Sequence, residues 1–288
     1  QSIRQEYNLN VSGTSGKAQF FGSFGYLNNK GIVDGADMFR YTARLKSDYQ
    51  AKRWLKVGMN MGYTKFNWNN GNSDEGSSGS TGNMFAFAAN MAPIYPVYIR
   101  DAQGNILKDQ NGLLRYDYGD GKNAGMVRPA SPQSNALQLA TLDLNNSEGN
   151  AFTGTGYTEI SFLKDFTFTV NAGFGVDETR SRSINNMYYG QFAPTGGTIS
   201  VGHSRSYYFN FQQLLNWNRS FGAHNVNVLL GHESYLSQSY SVSGYKTNLF
   251  SMDNTELNGA VVDGQNAASS RAEYNNEGYL ARAQYDYD

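Results

Sequence analysis

The 288-residue chain contains no cysteine, so disulfide scaffolds, thiolate catalysis and cysteine-ligated metals are excluded together. Charged residues make up only 16% and nearly cancel, leaving a formal net charge of -1. That balance removes the basic surface a nucleic-acid binder needs, and no nucleic-acid partner is expected. No apolar run approaches the ~20 residues of a spanning helix, which excludes a helical membrane protein but says nothing against a membrane β-barrel. The first residues, Gln1-Ser2-Ile3-Arg4, carry no basic-then-apolar leader. At the other end, Tyr279, Ala281, Ala283, Tyr285 and Tyr287 alternate with polar residues almost to the last position, with no closing turn. Either a signal peptide has been removed or the N-terminus is cut elsewhere, and the other end is expected to be a cut within a longer protein.

What the chain does have is glycine (32 residues), tyrosine (21), phenylalanine (17) and many Asn, Ser, Thr and Gln. So aromatic-rich a sequence does not fit the signature of disorder. Its strongest pattern is period two. Leu55, Val57, Met59, Met61 and Tyr63 alternate with Lys56, Gly58, Asn60, Gly62 and Thr64. Phe166, Phe168, Val170, Ala172, Phe174 and Val176 alternate with polar or small residues, as do Phe39, Tyr41, Ala43 and Leu45. Such runs are strands with one apolar and one polar face. Weaker versions at Tyr7–Ser12, Ala18–Leu27, Phe152–Leu163, Tyr207–Asn218 and Asn225–Tyr235, with the last segment, bring the expectation to about nine strands.

Short and long connections alternate. Tight turns are expected at Gly13–Gly16, Ala51–Arg53, Lys164–Asp165 and Ser220–Ala223, and long connections at Asn28–Met38, Asn67–Gly149, Glu178–Arg205 and Gln238–Asn275. A transmembrane barrel has this asymmetry, with brief turns on one rim and long external loops on the other. Trp54, Phe162, Phe166, Trp217 and Phe221 cluster beside the short turns, where an interfacial girdle belongs. The expected fold is therefore all-β, an antiparallel transmembrane β-barrel segment. The rivals are a soluble glycan-binding β-sandwich, whose apolar faces would form its interior, and a passive porin or adhesin-like barrel.

Specific runs also resemble a known family. Val11-Ser12-Gly13-Thr14-Ser15-Gly16-Lys17, then Phe20 to Asn28, Lys30-Gly31-Ile32-Val33, Phe39 to Leu45 and Trp54 to Asn60 resemble the early barrel strands of SusC/RagA-type TonB-dependent transporters. Tyr208 to Asn216, Phe221 to Asn225, Val228 to Glu233 and Asp253 to Leu257 resemble a later stretch of that family, in order. The resemblance implies an outer-membrane importer of the Bacteroidetes type, taking oligosaccharides or peptides. Its barrel would have about 22 strands and an N-terminal plug. It implies a SusD-like lipoprotein cap, outer-membrane lipid around the wall, and a TonB system acting through a part outside this chain. Residues 1–288 would be one part of that barrel domain, with a long outer loop at 67–149 and without plug or closing strands.

Signals for catalysis are weak, and no enzyme or cofactor is expected. His203, His224 and His232 form no H-E-x-x-H pattern, and His232 and Glu233 point to opposite faces of a strand. No G-x-S-x-G elbow occurs. Asp101 to Asn105, Asp109 to Gly112 and Asp117 to Gly121 are oxygen-rich but lack calcium-loop spacing; they read as turns, and no metal site is expected. In the long loop a flexible Asn/Gly/Ser stretch precedes a short helix at Asn83–Met91, ended by Pro93. The candidate substrate- or partner-binding residues are Tyr95, Tyr98, Tyr116 and Tyr118 here, and Tyr188 and Tyr189 in the third long loop. Such rings either stack on a ligand or pack the loops upon themselves.

Overall fold

A computed structural model describes residues 2–71, 84–129, 135–263 and 267–287. The Asn/Gly/Ser stretch at 72–82 lies outside the described residues. The elements are β1 (Arg4–Ser15), β2 (Ala18–Lys30), β3 (Ala36–Lys52), β4 (Leu55–Asn70), α1 (Met84–Asn90), α2 (Ala136–Leu142), β5 (Leu144–Phe162), β6 (Phe166–Asn185), β7 (Thr198–Phe221), β8 (His224–Leu249), β9 (Ala260–Asp263) and β10 (Ala268–Tyr287). One antiparallel sheet runs β1-β2-β3-β4-β5-β6-β7-β8-β10, and the short β9 pairs with the end of β8. It is a meander in which each of the long strands lies beside its neighbour in sequence. The sheet is not closed: β1 and β10 are its two edges.

Cross-strand register explains the two faces. Phe24, Ala43, Tyr63, Phe152, Val176 and Tyr207 lie opposite one another in a single row across six strands. Three residues along, Lys46, Asn60, Thr155, Gly173 and Asn210 form a row on the other face. Because side chains alternate, one face collects the apolar residues and the other the polar ones. No second sheet covers the apolar face among the described residues. Phe24 is 50% exposed, Leu45 43% and Met61 41%. A sandwich would bury these side chains, whereas a transmembrane wall turns them to hydrocarbon.

Two aromatic belts bound this band. Beside the short turns, Phe162 stacks on Phe166 with ring centres 5.5 Å apart, Trp217 lies 6.5 Å from Phe166, and Phe221 lies 6.4 Å from Trp217. On the far side Tyr7, Tyr26 and Tyr41 form a row, with 6.2 and 5.1 Å between successive rings. On β7 the aromatic residues Trp217 and Tyr207 of the apolar face lie ten positions apart, within the ~9–11 residues that a tilted strand needs to cross a bilayer.

The strands outrun their sequence pattern. β8 has 26 residues and β7 has 24, so the connections on the long-loop rim shrink to 31–35, 71–143, 186–197 and 250–267. Beyond the belts the strand ends meet the outer loops rather than a uniform apolar surface, so hydrophobic alternation stops while backbone pairing continues. Three of the short turns are tighter than expected, at 16–17, 53–54 and 222–223, and the fourth, 163–165, is one residue longer. Leu163 and Lys164 adopt φ of 48° and 63°, the left-handed geometry of a tight hairpin, which disfavours residues bearing a Cβ.

Among the described residues, a compact hydrophobic core forms at the long-loop rim. Ile184, Ile199, Leu249 and Ala260 are fully buried there, with Leu144, Met187, Val201, Met252 and Leu257 packed around them. This cluster ties the 250–263 segment and β9 to the ends of β5 to β8, and gives the outer loops a rigid base.

Candidate functional site

The 97–118 segment is built from an eight-residue repeat. Asp101, Asp109 and Asp117 recur every eighth position, preceded by Ile99-Arg100, Leu107-Lys108 and Arg115-Tyr116. Gly104 and Gly112 follow the first two Asp residues by three positions, with φ of 89° and 78°, which glycine adopts without a steric penalty. Each repeat contributes one short extended limb. Bridges join Arg100 to Ile106, Lys108 to Leu114 and Tyr116 back to Tyr98. The middle residues close the ring: Ile99 N–H donates to Arg115 O at 2.9 Å, Arg115 N–H to Leu107 O at 3.0 Å, and Leu107 N–H to Ile99 O at 2.9 Å. The result is a three-sided prism. The expected turns at Asp101 to Asn105 and Asp109 to Gly112 are present; the repeated Asp is the sequence signal for the ring that they help to close.

The aspartates are occupied by the prism itself. Asp101 Oδ1 accepts the Gln103 and Asn105 amides, at 3.0 and 2.8 Å. Asp109 Oδ1 accepts those of Asn111 and Leu113, at 2.8 and 2.9 Å. Asp117 Oδ1 accepts the Gly119 amide, and its Oδ2 accepts Asn123 Nδ2. No group of three His, Asp or Glu placed to hold a metal ion occurs among the described residues.

Helix α2, missed in the sequence, anchors the prism. Asn135 caps it by accepting the Gln138 amide at 3.2 Å, while its side-chain NH2 donates to Val97 O and Asp117 O. Helix α1, Met84–Asn90, lies within the segment expected to be helical, and Arg128 spans from the Phe87 ring to Tyr118 O. The 186–190 segment is then tied on through Asp143, whose Oδ1 accepts the Asn186 amide at 2.9 Å and its side-chain NH2 at 2.6 Å. Burial pushes the Asp143 carboxyl above the usual range, against these hydrogen bonds.

The six candidate tyrosines divide by role. Tyr98 and Tyr116 pack with ring centres 5.2 Å apart, and Tyr116, only 5% exposed, shares a hydrogen bond with Thr141 of α2 at 3.0 Å. Tyr118 stacks on Tyr189 at 6.1 Å across the two loops, and burial pushes its phenol strongly up. Tyr189 donates its hydroxyl to Asp109 Oδ2 at 2.6 Å; desolvation and that carboxylate push its phenol to about 12. These four hold the loop assembly together. Tyr188 is half-buried, its amide held by Asn186 Oδ1 at 3.1 Å. Tyr95 is half-buried, and its amide bonds to Ala92 O. Only Tyr188 and Tyr189 line a cleft of about 470 Å³, together with Lys108, Asp109, Gln110, Asn111, Arg115 and Met187.

The polar face of the wall carries a second set of groups. Tyr157 donates to Asp48 at 2.6 Å, Arg44 to Asn60 at 3.0 Å, Asn171 to Gln212 at 2.9 Å and Gln212 to Glu233 at 3.2 Å. This is a hydrogen-bonding surface of polar and charged groups. As the alternation requires, His232 and Glu233 are on opposite faces. His232 bonds to Gln213 and Glu277 on the apolar side, at 2.6 and 2.9 Å.

Comparisons with known proteins agree with this architecture. No family model matches the chain. It is 24% identical over 293 aligned positions to the TonB-dependent receptor P3 of Formosa agariphila, an alignment covering 97% of this chain and 26% of that receptor. Among solved structures, the RagAB peptide transporter matches with a TM-score of 0.76 at 21% identity, over 99% of this chain and 30% of that one. The ferripyoverdine receptor of the outer membrane of Pseudomonas aeruginosa matches at 0.56 with 14% identity, over 97% of this chain and 33% of that one. The chain thus spans about a quarter to a third of these three proteins. The fold is that of a TonB-dependent barrel wall, and the resemblance to SusC/RagA-type transporters extends over nearly the whole chain.

Proposed function

We propose that this chain is a wall segment of an outer-membrane active importer that takes up oligosaccharides or peptides with a SusD-like lipoprotein and is energised through a TonB system. The observation that carries the reading is the continuous antiparallel wall, with two- and three-residue turns on one rim and an elaborated loop assembly on the other. In that reading the apolar face meets lipid, and the polar face lets hydrated cargo pass without entering hydrocarbon. The prism and the 186–190 segment stand at the outer mouth, where ligand is first held between wall and cap. The chain's role is binding and passage, in keeping with relatives named as receptors.

The test uses the complete gene product in living cells. Labelled oligosaccharide and peptide pools are offered with and without a protonophore, in wild-type and deletion strains, and the purified protein is probed for a co-isolating lipoprotein. Uptake that requires the gene and collapses with the protonophore supports the importer. Gene-dependent flux insensitive to the protonophore would identify a passive pore instead. Recovery of the protein without detergent would overturn the membrane reading altogether.

A further inference from the structure

The cleft between the second and third limbs of the prism and the 187–189 segment has a charge arrangement that the packing of the loops does not use. Its charged residues are Lys108, Arg115 and Asp109. Both Asp109 oxygens are turned to donors within the protein: the Asn111 and Leu113 amides on Oδ1, and the Tyr189 hydroxyl and Asn111 Nδ2 on Oδ2. Those hydrogen bonds, the Tyr189 one foremost, hold its carboxyl below the usual range. Neither Lys108 nor Arg115 takes part in an ion pair among the described residues. The equivalent cation of the first repeat, Arg100, donates instead to Gly104 O at 2.7 Å. Two exposed cations therefore share a cleft whose one carboxylate is already satisfied.

The walls are equally specific. Tyr189 is fixed by its hydroxyl and by its stacking on Tyr118, Tyr188 by its amide, and Met187 by the rim core. A pre-set aromatic and thioether wall beside two exposed cations suits a ligand that presents an oxyanion next to a ring or apolar segment.

We propose that this cleft is a subsite for a carboxylate-bearing part of the imported ligand, gripped by Lys108 and Arg115 and flanked by Tyr188; this rests on the importer reading above. The shared chemistry is a carboxylate, borne either by an acidic sugar or by an acidic peptide side chain. The complete transporter, purified in detergent, is titrated with two matched probe pairs: trigalacturonic acid against its carboxyl-reduced form, and a Glu-containing hexapeptide against its Gln counterpart. In the pair that resembles the natural ligand, the acidic member binds about tenfold tighter, as expected for one charge-assisted hydrogen-bonding contact. Added salt narrows that gap.

The Lys108→Gln/Arg115→Gln double variant abolishes the preference, while Lys108→Arg/Arg115→Lys, which preserves both charges, retains it. Heat-resistant migration on gels verifies that both variants keep their barrel. Equal binding of both members in both pairs overturns the proposal, as does a preference unchanged in the Gln variant. Energised uptake is read separately: if it persists without an acid preference, the subsite falls and the importer stands, whereas its absence falls on the importer reading.

Discussion

Single residues on this wall are distinguished by parity. Met59 lies on the apolar face, opposite Ser47 and Gly156, whereas Asn60 lies opposite Lys46 and Thr155 on the polar face. In the complete protein in lipid, Met59→Arg is expected to lower unfolding stability by about 2–4 kcal/mol if near the midplane, and Asn60→Arg by much less. Equal losses, measured by reversible denaturant titration in vesicles, would contradict the facing. In the outer loops the Tyr189–Asp109 hydrogen bond has a defined pH window. Asp109 is lowered, so its contribution is present above the ordinary carboxylate value and is lost as pH falls through the depressed one. Tyr189 is raised to about 12, so its contribution is complete below the ordinary phenol value and is lost as pH rises through about 12. An ultraviolet titration of the complete protein minus that of Tyr189→Phe should show one phenolate appearing near the raised value; appearance near ~10, the free-phenol value, would mean the contact does not form.

The strands themselves are not uniform across the sheet. From β1 to β6 the middle of the apolar face carries residues such as Leu9, Leu45, Met61 and Phe174. On β7, β8 and β10 the same face carries Gln213, His232, Ser234, Glu277 and Tyr279, and nearer the rim Tyr207, Gln238 and Glu273. These side chains satisfy one another: His232 bridges Gln213 and Glu277, and Gln238 accepts from Tyr207 and donates to Glu273 at 2.7 Å. Polar groups on a membrane face are costly without such partners. Ser234 lies directly opposite Glu277 on this seam. Ser234→Arg is therefore expected to cost less than Met59→Arg in the same denaturant titration, because the new guanidinium meets a carboxylate. A larger cost at Ser234 would show that the seam is surrounded by lipid as fully as the rest of the face.

At the scale of the whole molecule, the decisive feature is the open sheet. β1 and β10 each present one unpaired backbone edge, and hydrocarbon offers nothing to unpaired N–H and C=O groups. Exposed edges also recruit other chains. Residues 1–288 expressed alone are expected to aggregate, and to give neither a heat-resistant monomer on gels nor a conducting pore in planar bilayers. A monodisperse, heat-resistant monomer would show that this sheet closes on itself. The loop assembly has a different status: its prism, α2 cap and rim core are built from 97–118, 135–142, 186–197, 250–263 and the ends of β5 to β8, and involve neither β1 nor β10.

The sequence by itself determined whatever depends on local alternation. Met59 against Asn60 and Val170 against Asn171 fixed which residues share a face, and the aromatic cluster from Phe162 to Phe221 marked one boundary of the apolar band. Short turns beside long connections fixed the meander. Tertiary structure decided what depends on partners distant in sequence. The ends of β5 to β8 continue as strand because neighbouring backbones pair with them, although their side chains no longer alternate. Tyr118 meets Tyr189, and Asp109 accepts the Tyr189 hydroxyl, only because Asp143 and Asn186 bring two loops together. Lys108 and Arg115 share one cleft because three eight-residue repeats close into a ring. Alternation is a property of neighbouring residues, legible one strand at a time; a cleft is a property of chain segments folded against each other.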